Sequence, residues 1–295
     1  MSFSKTLSRK DFIKISSLAL AGTLLPKYSF GKAEQKIGLQ LYTLRNEIPN
    51  QLERILEKVS NLGYSELELF GYTDGKFFGK TPKEFKGLLK KYKLKAPSGH
   101  YLTGNLDSSV KGTLKNDWER AVADAAEIGQ KYVVCAYLFP DERTKLDDYK
   151  RHIELFNKSA EISKKNGLQF IYHNHDFEFQ PLEGTVPYDL ILKETTPDLV
   201  QMELDLYWTA FAGVDPVMYF EKHPGRFPLW HLKDMEKTAE RAMAEVGNGS
   251  IDFQRIFDAQ KIAGLKHYFV EQDFCKRPAL EAIEMSINNV KKLKI

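Results

Sequence analysis

Two cysteines in 295 residues, Cys135 and Cys275, stand far apart and beside apolar runs, so they offer no basis for a disulfide framework and read as structural. No glycine-rich fingerprint follows the first predicted strand, which argues against an open nucleotide-binding sheet. No segment approaches the ~20 consecutive apolar residues that a membrane helix needs, so stable membrane insertion is not expected. A one-signed charge excess is missing too. The formal net charge is +3, but residues 1–33 carry six basic side chains (Lys5, Arg9, Lys10, Lys14, Lys27, Lys32) against Asp11. The remainder holds 37 basic and 39 acidic residues, and a surface near −2 gives no electrostatic reason to expect nucleic acid.

What is present is an ordinary globular composition, 42% hydrophobic and 28% charged, with a mean hydropathy of −0.42. Its length suits one barrel-sized domain, and a homo-oligomer is compatible with it. Residues 1–33 read as an export signal. A basic segment ends at Lys14, Ile15 to Leu25 is apolar, and Gly31-Lys32-Ala33 places small residues at a cleavage spacing. Ser8-Arg9-Lys10-Asp11-Phe12-Ile13-Lys14 resembles a twin-arginine pattern with Lys10 in the second arginine's place. The expected domains are therefore 1–33, a signal peptide, and 34–295, the folded domain. The expected location is the periplasm or outside the cell.

From Lys36 onward short apolar runs alternate with amphipathic segments. Strands are predicted at 37–41, 65–69, 95–99, 132–137, 169–172, 200–204, 228–231 and 268–270. Helical patterns fill the intervals, including 47–62, 117–128, 147–165, 251–262 and 278–293. Glycines at 63, 129, 167 and 264 close helices where the chain must turn into the next strand. Eight strands, each followed by a helical segment, predict a single (β/α)8 barrel of the α/β class.

In such barrels the carboxyl ends of the strands line the active site. Four of the seven histidines fall there: His100, His173, His175 and His231. Asp205 ends the sixth strand and Glu271 the eighth. His173, Asp205, His231 and Glu271, on four consecutive strands, converge if the barrel closes, and predict one divalent metal. Mixed nitrogen and oxygen ligation suits Mn, Zn, Co or Fe better than Ca, with Mg also considered. The remaining histidines, His152, His223 and His267, read as structural or surface residues.

Residues 36–293 resemble the sugar phosphate isomerase/epimerase family, the xylose isomerase-like barrels. The resemblance lies in Tyr172-His173-Asn174-His175-Asp176-Phe177-Glu178-Phe179, Glu203-Leu204-Asp205, His231-Leu232-Lys233-Asp234, Gly247-Asn248-Gly249-Ser250-Ile251-Asp252 and Val270-Glu271-Gln272-Asp273. The family holds its metal with Glu, Asp, His and Glu from strands 5 to 8. Asp205, His231 and Glu271 match three of these, and His173 stands where the first Glu would be. The resemblance implies proton abstraction next to a carbonyl, with the metal polarising that carbonyl.

Epimerases of the family use two strand-end glutamates as acid and base, and here only Glu271 remains. The expected catalytic set is Glu271 with Lys233, His175 and Glu178, and a substrate-binding set of His100, Glu68, Glu203 and Trp208. Tyr207, Phe70 and Tyr101 add aromatic surface. Gly247-Asn248-Gly249-Ser250 sits where barrels often hold phosphate, but reads better as a turn with Ser250 capping a helix. The expected activity is isomerisation or epimerisation of an unphosphorylated sugar or keto-polyol. The alternative is a lyase, dehydratase or hydratase acting on 3-keto glycosides or keto-inositols, which needs one base and one acid rather than two equal bases. A non-catalytic carbohydrate-binding barrel is the lesser alternative. An apurinic-site endonuclease shares the barrel but requires a basic DNA-binding face.

Overall fold

The apolar runs do form strands. A computed structural model of the protein describes residues 35–295. The stretch read as an export signal, residues 1–33, lies outside the described residues, which form one compact unit over Lys36–Ile295. The barrel strands are β1 (Gly38–Gln40), β2 (Glu66–Leu69), β3 (Lys95–Tyr101), β4 (Tyr132–Cys135), β5 (Gln169–His173), β6 (Val200–Asp205), β7 (Leu229–Leu232) and β10 (His267–Val270). They close as β1-β10-β7-β6-β5-β4-β3-β2, and every neighbouring pair is parallel. The (β/α)8 expectation therefore holds. None of the described helices is long and apolar enough to cross a membrane.

The main helices are α1 (Ile48–Leu62), α2 (Pro82–Lys91), α3 (Trp118–Ile128), α4 (Leu146–Lys165), α5 (Pro187–Glu194), α6 (Leu206–Phe211), α7 (Pro216–Lys222), α8 (Phe253–Asp258), α9 (Gln260–Ala263) and α10 (Ala279–Val290). The longer of them turn an apolar stripe onto the strands, as Ile55, Leu56 and Val59 of α1 do. Gly63 and Gly129 adopt the left-handed conformation that ends α1 and α3. The segment 251–262, expected as one helix, is α8 and α9 meeting at Ala259.

Side chains alternate along a strand, so residues two apart face the barrel axis together. Val134, Ile171, Leu229 and Phe269 pack as a small buried cluster of their own, an apolar floor inside the barrel. One step toward the carboxyl ends, the same alternation brings in His173, Glu203, His231 and Glu271. A further step brings His175, Asp205, Lys233 and Asp273. The chemistry of the mouth thus stands on a dry plug.

The loop after β7 carries Gly247-Asn248-Gly249-Ser250, which form the turn expected of them. The loop also contains a small antiparallel hairpin, β8 (Asp234–Met235) and β9 (Met243–Ala244). Asp234 accepts hydrogen bonds from the backbone N–H of Gly247 (2.9 Å), Gly249 (2.8 Å), Ile251 (3.1 Å) and Met235 (2.8 Å). The amides that hold phosphate in other barrels are here occupied by the protein's own carboxylate. A Cβ on Gly249 would lie 2.3 Å from Asp234 Oδ1, so only glycine fits there. Ser250 donates to Met235 O rather than capping a helix; the cap of α8 is Asp252, which accepts from Arg255 N.

Candidate active site

The β5 end shows how one short run builds a site. His173 and His175 face the axis, and the intervening residues brace them from behind. Asn174 Oδ1 accepts from Asp205 N at 3.0 Å, tying the end of β6 to that of β5. Glu178 accepts from His175 N at 2.8 Å and from the Tyr172 hydroxyl at 2.5 Å, fixing the turn after the strand. Asp205 caps α6: its Oδ1 accepts from Trp208 N at 2.8 Å, leaving Oδ2 to face the axis.

Ligand atoms of His173, Asp205, His231 and Glu271 all lie within 4.8 Å of one another, and all four residues are buried. His173 Nε2 is 3.2 Å from His231 Nδ1 and 3.4 Å from Asp205 Oδ2, and His231 Nδ1 is 3.8 Å from Asp205 Oδ2. Ligands about 2.0–2.2 Å from a tetrahedral metal stand about 3.3–3.6 Å apart, so this spacing is of the right size. Glu271 Oε2 is closer, 2.7 Å from His231 Nδ1. Asp205 Oδ2 and Glu271 Oε2 are buried with no well-directed hydrogen-bond donor, although Lys233 Nζ lies 3.0 and 2.7 Å away. Two under-satisfied carboxylate oxygens facing two imidazole nitrogens form a donor set that fits a divalent cation.

A second group of four, Glu68, His100, Glu203 and His231, lies within the same span and shares His231. Its contacts are those of a proton-linked network. Glu68 accepts from His231 Nε2 at 2.5 Å, Gln40 Nε2 at 2.9 Å and Ser98 Oγ at 2.5 Å, and lies 3.1 Å from His100 Nε2. His100 Nε2 is 2.8 Å from Glu203 Oε2. Such a carboxylate behind a ligand histidine fixes its ring and tautomer.

Charges inside this shell act on one another at close range. Burial lowers the basicity of His231, but Glu203, Glu271 and Glu68 outweigh it and raise the imidazole well above its usual value. In the same way Glu68 and Glu203 overcome burial at His100 and lift it to about 9. Burial would raise Glu271, yet Lys233 and His231 hold its carboxyl below the usual range. Lys233 stays charged in spite of burial because Asp205, Asp273 and Glu271 surround it. His173 and His175 go the other way, held neutral chiefly by burial.

Above the shell opens a cleft of about 640 Å³. His100, His173, His175, Trp208, Lys233 and Glu271 of the sequence-predicted residues line it. Glu68 and Glu203, expected against substrate, are fully buried and do not reach it; they back His231 and His100. Glu178, expected among the acid–base groups, is also fully buried behind the β5 turn. Of the aromatics, Phe70 lines the cleft, whereas Tyr101 and Tyr207 are buried and donate to Gln130 Oε1 and Arg241 O. Asp273 was not singled out from sequence. It lines the cleft, accepts from Lys233 Nζ at 3.0 and 3.1 Å, and is raised to about 6 by burial, Lys233 opposing. Its position two residues past Glu271, on the same side of the chain, was the available signal.

Residues 56–293 match the family described as the xylose isomerase-like TIM barrel. The chain belongs to that family. A crystal structure of a sugar phosphate isomerase/epimerase from Parabacteroides distasonis superposes with a TM-score of 0.76 at 30% identity, covering 88% of this chain and 98% of that one. The IolI protein with a bound zinc atom superposes with a TM-score of 0.68 at 17% identity, covering 87% and 96%, which is a likeness of fold. Among curated proteins, an inosose dehydratase of Geobacillus thermodenitrificans is 29% identical over 140 residues, 41% of this chain and 46% of the relative. The chain spans about half the length of this and other curated inosose dehydratases that it matches. These relatives are named for a lyase reaction, the alternative of the two activities expected from sequence.

Proposed function

We propose that this barrel is a metal-dependent lyase that removes a proton beside the carbonyl of a keto-polyol or keto-sugar and expels the group on the next carbon. The observation that carries the reading is the asymmetry of the mouth. His173 stands where an epimerase has its second carboxylate, while Glu271, Lys233 and Asp273 form a carboxylate–ammonium–carboxylate row elsewhere in the cleft. Elimination needs one base and one acid, and the relatedness to inosose dehydratases agrees with it.

His173, Asp205, His231 and Glu271 are the residues that would hold the divalent metal. Bound there, it supplies a Lewis acid for a carbonyl oxygen. On this reading His175 takes the proton: it lines the cleft, its Nδ1 has no hydrogen-bond partner among the described residues, and burial keeps the ring neutral. Lys233, steadied by both oxygens of Asp273, is placed to give a proton to the departing oxygen. His100 and Trp208 bound the space left for the polyol ring. Glu68 and Glu203 act from behind, through His231 and His100.

The test is His175→Gln beside Glu271→Gln in metal-supplied enzyme with a keto-inositol. On this reading His175→Gln keeps the metal and loses about 10²–10⁴-fold in turnover, the usual cost of losing a general base. Glu271→Gln loses metal affinity as well. Full turnover by His175→Gln would remove the base from this assignment. Isomerisation or epimerisation remains the second reading, supported by the likeness to the Parabacteroides distasonis structure.

A further inference from the structure

The cleft changes character away from the metal shell. Tyr42 and Phe70 meet edge to face at 5.3 Å, and Tyr137 and Phe177 at 5.6 Å. Leu102 and Tyr42 are 41% and 40% exposed, and Phe274, directly after Asp273, is 73% exposed. The two arginines here are already committed. Arg143 lies 3.4 Å over the Phe177 ring and donates to Leu138 O; Arg45 lies 4.4 Å over Tyr42 and donates to Asp273 O.

A cleft of about 640 Å³ is the size that takes drug-sized molecules, roughly 300–1,000 Å³, and one polyol ring leaves much of it unfilled. The unfilled part is the wrong surface for more polyol. Each hydroxyl taken from water without a partner costs about 1–3 kcal/mol, and this rim is lined mostly by aromatic and aliphatic side chains, with Asp176 and the hydroxyls of Tyr42 and Tyr137 as its polar exceptions. Flat ring edges and faces suit a flat apolar group instead.

We propose that the substrate is an aryl glycoside carrying a ketone, and that Tyr42, Phe70, Tyr137, Phe177 and Phe274 bind its departing aryl group. The proposal rests on the elimination reading and names its substrate class. In a 3-keto glycoside the carbon beside the carbonyl is C2, and the next, C1, carries the aglycone. His175 takes the C2 proton, a double bond forms between C1 and C2, and the bond from C1 to the aglycone oxygen breaks. That oxygen leaves with the bonding pair and receives a proton from Lys233. The products are an unsaturated ketone and a phenol, with no oxidant consumed. A reaction oxidising the C3 hydroxyl of an aryl glycoside must supply such a substrate.

The test separates binding from turnover. Titration calorimetry of metal-supplied full-length protein compares 4-nitrophenyl β-glucoside with methyl β-glucoside, neither of which carries the ketone needed for elimination. The aryl glycoside should bind at least about tenfold tighter, the scale of one good aromatic contact. Phe274→Ala should remove most of that preference, and its exposure means the fold does not depend on it. Tyr42→Ala is the second variant. Equal binding of the two glycosides, or a preference untouched by both variants, would overturn the subsite. The 4-nitrophenyl 3-ketoglucoside, a keto-inositol and a 3-keto disaccharide are then assayed for turnover. Nitrophenol release above the rates on the other two supports the proposal, and a faster disaccharide overturns it. Aryl-selective binding without release of nitrophenol or water would uphold the subsite while refuting the elimination reading.

Discussion

Glu68 never reaches the cleft, yet the geometry makes it decisive for the metal. Its carboxylate receives Gln40, Ser98 and His231 and lies beside His100, and it is fully buried. Glu68→Gln keeps the volume but replaces one acceptor oxygen with an amide that donates. At least one buried donor then faces another donor, at a cost of about 1–3 kcal/mol. The change also takes the charge from behind His231 Nε2. Because such partners set the basicity and orientation of a ligand histidine, metal affinity should fall about 10–100-fold. Binding of a non-reactive glycoside at saturating metal should not change, since no atom lining the cleft is altered. The assay is competition against a chelating indicator at fixed pH, with glycoside binding measured in parallel. Unchanged metal affinity in a folded variant would refute the argument. So would a loss as great as that of Asp205→Asn, because Glu68 would then be a ligand rather than a support.

Three further outcomes follow from other parts of the molecule. Asp234→Ala strands four backbone N–H groups and should cost about 3–5 kcal/mol in denaturant unfolding, with Gly249→Ala also destabilising; wild-type stability in both would remove the loop's internal anchor. Glu178 is raised from 4.5 to about 7 by burial, so its contribution to stability is full below 4.5 and lost as pH rises through about 7. Glu178→Gln should therefore flatten the decline of Tm across that interval, and an unchanged slope would show that the group does not titrate there. His173→Glu puts a second carboxylate at the mouth. Metal binding should persist, α-carbon proton exchange continue and elimination fall; equal loss of exchange and elimination would give His173 another role.

The fold was legible because barrel strands are short apolar runs separated by capped helices, and both signals are local. Glycines 63 and 129 closed their helices as read. Strand ends were less sharp: β3 runs on to Tyr101 and β5 to His173, since pairing with a neighbour decides where a ladder stops. The hairpin in the β7 loop escaped notice because strands of two residues carry no periodicity. That His173, Asp205, His231 and Glu271 would meet followed from strand order. Depth did not. Glu68 and Glu203 look like rim carboxylates in sequence, but the stagger of the barrel sets them below the mouth. Asp273 was passed over because it lies beyond the last strand, although alternation carries it to the side of Glu271.

The central claim is elimination, and the reaction in heavy water tests it most directly. Metal-supplied protein is incubated in D₂O with a keto-inositol and with a 3-keto glycoside, and the products are examined by mass spectrometry and proton NMR. Elimination predicts an unsaturated ketone lighter than the substrate by water or by the aglycone. Recovery of an isomer or epimer of unchanged composition, with deuterium at the carbon beside the carbonyl and no group expelled, would contradict it.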